Sequence, residues 1–530
     1  MSAVTVNNNN QDPTFSGKQK WDEATFTKRE AKAFSNTDDS EIQRLNTIFA
    51  AQKKAFLADP YPSLEERIKR LQAIAGAIMV HREEMQQALK KDFVTHPDEF
   101  SDLIEILGMV GRVAHNCASL EEWLKPKIRT LGKDFWGESK GTIEPQPKGV
   151  IVNMAPWNFP FDIGIGVCVE AIAAGNRVVV KPSDLSIHTG QVLRKLMETA
   201  FPDTSNNGVR VVEVVNGGLD LSKAVVKLPW DHLVYTGGTQ GAKHVMRACA
   251  DNLVPVTLEL GGKCPAILHT KDQVENQDVI DQIIGIKCIK NGQMCVSVDY
   301  VQIPEGTEEA FLARAKDALD RMVPAGYTKD EGLPSIITDG HAQRIAGLVE
   351  DAKSRGENVI SYGGEANGTR RPPFHFIVNP SDDCKVMQQE IFGPVLPIKT
   401  FKKVEDAIVY TQTHDRPLGI GLFTDDKELA ERVKLTTHSG GFNLNAGPTM
   451  HAAQPELGFG GIGNSGMGRH HGYEGFMEFS NMKACFEKGE GGLAINNGSI
   501  LLPPYNRELT QGVIKAFVDQ IMSAGSSDTA

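Results

Sequence analysis

No stretch of this chain is long and apolar enough to read as a membrane span. The most apolar window, residues 149–175, is broken by Asn153, Pro156, Asn158, Pro160, Asp162 and Glu170. Positive charge is in deficit as well. The 56 Lys and Arg stand against 67 Asp and Glu, a net charge of -11, and this argues against nucleic acid or an anionic membrane as the main partner. Cysteine is scarce, eight in 530 residues without a Cys-x-x-Cys pair, so neither a disulfide framework nor a zinc site is expected, and no metal. A reducing cytoplasm fits such usage. Residues 1–40 hold Asn7-Asn8-Asn9-Asn10 and mixed charges but no apolar core of a signal peptide, and are expected to form a flexible arm. Internal repeats are absent.

A chain of this length exceeds one ordinary core, so two or three domains are expected. From Glu41 to about Leu124 apolar residues recur at helical spacing, with Asp59-Pro60-Tyr61-Pro62 breaking the first helix and Ser63 placed to cap the second. An alternation of strands and helices follows. The strands are read at 150–152, 177–180, 211–215, 232–235 and 256–260, and the helices at 163–174, 188–200, 219–227 and 240–251. That rhythm predicts an α/β fold with a doubly wound parallel sheet. It resumes from Pro265 in what reads as a second α/β unit, and a last helix is expected near 508–522.

Three residues offer covalent chemistry on a carbonyl. Cys295, in Gly292-Gln293-Met294-Cys295, can attack; the Asn158 amide, in Pro156-Trp157-Asn158-Phe159-Pro160, can hold an oxyanion; Glu259, in Leu258-Glu259-Leu260-Gly261-Gly262-Lys263, can activate water. Each alone has a plainer reading as core filler, turn residue or paired carboxylate. Two segments at strand ends suit a dinucleotide. Lys181-Pro182-Ser183-Asp184 offers an ammonium, a hydroxyl and a carboxylate fitted to a ribose diol. Gly237-Gly238-Thr239 opens a helix, where close backbone approach and a helix N-terminus favour phosphate. The Gly-x-Gly-x-x-Gly matches at 458–463 and 461–466 lack a strand before and a helix after, and read as loop glycines.

Together with Glu390-Ile391-Phe392-Gly393-Pro394, these motifs resemble those of the aldehyde dehydrogenase family over about residues 45–490. Asp59-Pro60-Tyr61-Pro62-Ser63, Val215-Asn216-Gly217-Gly218 and Gly463-Asn464-Ser465-Gly466-Met467-Gly468 resemble its class 3 branch, above all coniferyl aldehyde dehydrogenases. The resemblance implies Cys295 as nucleophile, Glu259 as general base and Asn158 as oxyanion donor. It implies cofactor contacts from Trp157, Lys181, Ser183, Asp184, Gly237, Gly238, Thr239, Leu260, Gly261, Glu390 and Phe392. NAD is the expected cofactor, with NADP the alternative, and an aromatic or medium to long aliphatic aldehyde the expected substrate. CoA-acylating dehydrogenation is the rival reading, with an inactive cofactor-binding homologue a third.

The family fold then divides the chain. Residues 41–140 and 150–262 would form the dinucleotide-binding domain, and 263–445 the catalytic domain. Residues 141–149 with 478–490 would form a small β oligomerisation element serving a homodimer or tetramer. Residues 446–477 would be a loop region near the active site, and 491–530 a tail without a membrane anchor. Lys290 and Ala242 depart from the family's usual Asn and Gly; Lys290 is expected either to tune Cys295 or to face solvent. Phe159, Phe161 and Phe459 are candidates to line an apolar pocket.

Overall fold

The computed structural model describes residues 38–202, 208–364, 370–494 and 500–524. The stretch read as an arm lies outside these residues except for its last three, which already belong to the helix Asp38–Ala58. Ser63 caps the next helix, Leu64–Val80, by accepting from the Glu66 amide at 3.2 Å. Successive helices to Trp123 cover one side of a six-stranded sheet, where Leu71, Ile74, Met85, Leu89 and Phe93 pack on Ile165, Val169 and Ile172 of the helix Pro160–Ala173.

In that sheet the strands run in the order Gly466–Met467, Val256–Leu260, His232–Gly237, Val150–Met154, Arg177–Lys181, Val212–Val214. All pair in parallel except the short Gly466–Met467, which runs antiparallel to Val256–Leu260. Strands 150–154 and 177–181 are buried at every position, as expected for a sheet covered by helices on both faces. The chain leaves Val150–Met154 towards one edge and later returns to its other side. The crevice beyond that central strand is therefore the switch point where open α/β sheets take ligands. Lys181 ends the strand on one side of it and Gly237 the strand on the other.

A second, seven-stranded sheet runs Asn358–Tyr362, Phe374–Val378, Val395–Phe401, Tyr300–Pro304, Pro265–Leu268, Gly419–Phe423, Gly441–Leu444, parallel except for its first pair. A third sheet joins Lys140–Pro147 antiparallel to Ser480–Glu487 over eight residue pairs. Its edge strand, Lys127–Arg129, is exposed throughout and too short to carry an alternating pattern in the sequence. No described helix is long and apolar enough to cross a membrane.

Candidate active site

Glu259 sits one residue from the end of Val256–Leu260, paired with Gly466 across the sheet edge. Strand geometry points it into the protein, where it is 2% exposed and neither carboxylate oxygen has a hydrogen-bond partner. Burial pushes its pKa well above the ordinary carboxylate range; Arg469 lowers it and Glu478 raises it. The loop glycines explain how the edge is closed. A Cβ on Gly466 would collide with the Leu258 carbonyl oxygen, and the Ser465 carbonyl accepts from the Leu260 amide at 3.0 Å. The 458–468 stretch is thus the back wall of Glu259, a role its spacing did not reveal.

Cys295 follows a turn in which Lys290, Asn291 and Gly292 are all left-handed. The turn presses against the Glu390 motif, since a Cβ on Gly292 would meet the Gly393 carbonyl. Gln293, fully buried, locks it by donating to the Lys290 and Ser335 carbonyls and accepting from the Ile337 amide. Asn158 reaches the same turn, its Nδ2 donating to the Gln293 carbonyl at 3.2 Å. The Cys295 thiol, partly exposed, is pushed well up from its ordinary pKa by burial, then by Glu390 and Glu259. Three segments far apart in sequence therefore meet around Cys295. Phe159 and Phe459 belong to the apolar cluster against which Cys295 packs, whereas Phe161 lies in the core beneath the six-stranded sheet and does not line this pocket.

Lys290 does not face solvent. It is fully buried and held by Glu105 and His96. Among the described residues no histidine is hydrogen-bonded to Cys295; His451 engages Asn443, His414 the Tyr410 carbonyl, and His470 packs on Phe459.

The crevice above fits a dinucleotide. The Lys181 ammonium is buried, which lowers its pKa, with Asp184 and Asp38 raising it in partial compensation. A desolvated ammonium of this kind calls for further oxygen acceptors, as a ribose diol offers. Ser183 and Asp184 lie beside it, half-buried, with the Ser183 hydroxyl accepting from the Leu185 amide. Across the switch point, the helix Thr239–Ala250 begins without a side-chain cap or an acid in its first turn, and open space surrounds the Cα of Gly238. Such an end favours phosphate. A Cβ on Gly241 would strike the Tyr235 hydroxyl, which would have to move. Ala242 turns the other way, into Leu258 and Leu260.

Glu390 lies close over Gly261, where a Cβ would collide with its carboxylate, and accepts from the Gly262 amide at 3.3 Å. Burial raises its pKa to about 8. Phe392 sits edge-on to Trp157, ring centroids 5.4 Å apart. Sequence reading missed the residues that pin this loop. Arg344 donates to the Glu390 and Ile391 carbonyls, Lys263 to those of Val386 and Gln389, and Asp299 accepts from the Ile391 amide. Arg344 stands on a surface-patterned helix, where a basic residue gives no sign of its contacts.

The family model described as "Aldehyde dehydrogenase family" matches residues 22–485. A "Probable coniferyl aldehyde dehydrogenase" of Pseudomonas aeruginosa is 37% identical over 486 residues, 92% of this chain and 99% of that one. An "Aldehyde dehydrogenase, dimeric NADP-preferring" of Canis lupus familiaris is 30% identical over 448 residues, 84% of this chain and 94% of its own. The solved structure described as "Substrate bound state of Staphylococcus Aureus AldH" superposes with a TM-score of 0.80 at 28% identity, covering 89% of this chain and 99% of that one. The chain belongs to the aldehyde dehydrogenase family and is an NAD(P)-dependent oxidoreductase acting on aldehydes.

Proposed function

We propose that the chain oxidises an aromatic aldehyde of the coniferaldehyde type to its carboxylic acid, through a thioester on Cys295 and with NAD in preference to NADP. The observation that carries the reading is Glu259, a buried carboxylate with no hydrogen-bond partner among the described residues, whose charge bears on Cys295. A structural carboxylate would be paired. A base reserved for water is what release of an acyl group by hydrolysis requires, and transfer to CoA has no use for it.

In this reading the Cys295 thiolate adds to the aldehyde carbon and the carbonyl electron pair moves to oxygen. The Asn158 amide and the Cys295 backbone N–H hold that oxyanion, worth roughly 10²–10³ in rate for a single donor. A nicotinamide, held by Glu390 and Phe392, would supply the acceptor for the hydride released as the carbonyl reforms. Glu259 then takes a proton from water, whose oxygen adds to the thioester, and the thiolate departs from the acid. Lys181, Ser183 and Asp184 would hold the adenosine ribose and Gly237, Gly238 and Thr239 the pyrophosphate. Trp157, Leu260 and Gly261 would wall the cofactor, and Glu390 and Phe392 would orient the nicotinamide ribose and ring.

Asp184 favours a free 2′-hydroxyl over a phosphate by charge, which supports NAD. The relative from Pseudomonas aeruginosa is named for coniferyl aldehyde, and Phe159 and Phe459 beside Cys295 suit an aromatic ring. The six-stranded sheet would form the cofactor domain, the seven-stranded sheet the catalytic domain, and the three-stranded sheet the contact of a homodimer. Eight unpaired cysteines support a cytoplasmic setting.

Following NADH and NADPH absorbance with coniferaldehyde, benzaldehyde and hexanal, beside Cys295→Ala, tests the reading. CoA-independent turnover, fastest with coniferaldehyde and NAD and lost in Cys295→Ala, is expected. Parent turnover in Cys295→Ala would show that another group is the nucleophile.

A further inference from the structure

The turn that carries Cys295 is strained and held from outside. Lys290 (φ 50°), Asn291 (φ 56°) and Gly292 (φ 77°) are left-handed in succession, and two of the three carry side chains. Such backbone persists only where its surroundings over-determine it. The Tyr327 hydroxyl donates to Asn291 Oδ1 at 2.7 Å, and Gln293 makes the three bonds described above. The anchor at Lys290 is of another kind. Its Nζ donates to Glu105 Oε1 at 2.9 Å and to His96 Nε2 at 2.7 Å, over the rings of Phe93, Phe159 and Phe100.

Every polar atom around this ammonium is used. Lysine only donates, so His96 Nε2 accepts and Nδ1 bears the proton, which goes to Ser101 Oγ at 2.8 Å; Ser101 donates to the Pro97 carbonyl at 2.9 Å. Glu105 projects from the π-helical segment Ser101–Leu107, and its other oxygen accepts from the Phe161 and Asp162 amides at 3.2 and 3.1 Å. Those amides begin the helix Pro160–Ala173, immediately after Asn158. One carboxylate thus joins the turn before Cys295 to the helix end behind Asn158.

We propose that Lys290 is a positioning residue for aldehyde oxidation, its bond to Glu105 fixing the distance between the Cys295 turn and the Asn158 segment. This rests on the reading of Cys295 as nucleophile and Asn158 as oxyanion donor. A buried ion pair contributes little net stability over apolar residues of the same size, so its use here is geometric.

The deciding variant is Lys290→Met with Glu105→Gln, compared with the parent in thermal midpoint, NAD affinity, kcat and the rate of Cys295 alkylation by iodoacetamide. Removing both charges leaves no ion stranded, and the new amide oxygen still caps the helix while its NH2 can donate to His96 Nε2 in place of Lys290, so the lost feature is the tie to the turn. A loss of about 100-fold in kcat, the order that a 1 Å misplacement brings, is expected with slower alkylation and unchanged NAD affinity. Glu105→Asp keeps both charges but is one methylene too short to reach Lys290 and the helix together; a smaller fall, about tenfold, is expected. Parent kcat and alkylation in either folded variant would overturn the proposal. Cys295→Ala separates the two readings: if it keeps parent turnover, the nucleophile assignment fails whatever Lys290 does.

Discussion

Around the helix Pro160–Ala173 the buried ions are paired, whereas Glu259, whose charge bears on Cys295, is not. Arg112 clasps Glu170 through two hydrogen bonds, at 3.1 and 2.6 Å, with Asp162 3.7 Å from its remaining nitrogen. Lys290 is matched in the same way by Glu105. Among the described residues Glu259 is buried with both oxygens bare, and Lys287, near the end of the helix Gln277–Cys288 that leads into the Cys295 turn, is buried with no partner for its ammonium. Burial lowers the Lys287 pKa to about 8. Fully partnered ions hold a scaffold in place; unpartnered ones are kept reactive at the expense of stability. Removing a charge should therefore have opposite consequences for stability in the two regions.

The largest separation of activity from stability is expected for Glu259→Gln. Loss of the general base should lower kcat by about 10²–10⁴-fold, while the thermal midpoint at neutral pH rises. The sign follows from a folded pKa raised well above the ordinary carboxylate value of 4.5. In the window above 4.5 the unfolded chain loses the proton that the folded chain keeps, so stability falls with rising pH, and the penalty is complete above the folded pKa. Melts of both proteins across pH should converge towards acid, and a lower midpoint for the variant at neutral pH would break the comparison.

Arg112→Met should do the reverse. Stranding Glu170 is expected to remove about 3–5 kcal/mol of stability, with kcat per folded molecule unchanged, as read from urea unfolding and active-site titration. Asn158→Ala should lower kcat by about 10²–10³-fold and leave NAD affinity intact; an unchanged kcat would remove the oxyanion role. Lys287→Met is expected to stabilise the fold at neutral pH, on the order of 1–3 kcal/mol. Because its folded pKa of about 8 lies below the ordinary lysine value of 10.5, the penalty it relieves is full below pH 8 and fades as pH climbs towards 10.5. The smallest effect sharpens the pocket itself. Glu390 raises the Cys295 pKa, so Glu390→Gln should shift iodoacetamide alkylation to lower pH.

The pattern of what could be read from sequence follows the same division. Strands such as Val150–Met154 and Arg177–Lys181 announce themselves by continuous β-branched runs, and Ser63 by its position before a helical pattern. The candidate groups Cys295, Glu259 and Asn158 stand in distinctive local motifs, so their neighbourhoods are legible without the fold. Lys290 was open between tuning the thiol and facing solvent, because its partners Glu105 and His96 lie 185 and 194 residues away. Phe161 reads like Phe159 until the helix turns it to the other side. The glycines of 458–468 resemble an incomplete phosphate motif, and only the strand edge they seal explains them. Contacts between distant segments are where local pattern stops informing.

The central claim, a carboxylate kept unpaired to release an acyl group from Cys295, is tested most directly by trapping that acyl group. Glu259→Gln would be mixed with NAD and benzaldehyde, and NADH formation and the intact protein mass followed over the first turnover. The expected result is a burst of NADH equivalent to the protein, a benzoyl adduct on Cys295, and little turnover after it. Continued parent-rate turnover without an adduct would contradict the role of Glu259, and an adduct on any other residue would contradict that of Cys295.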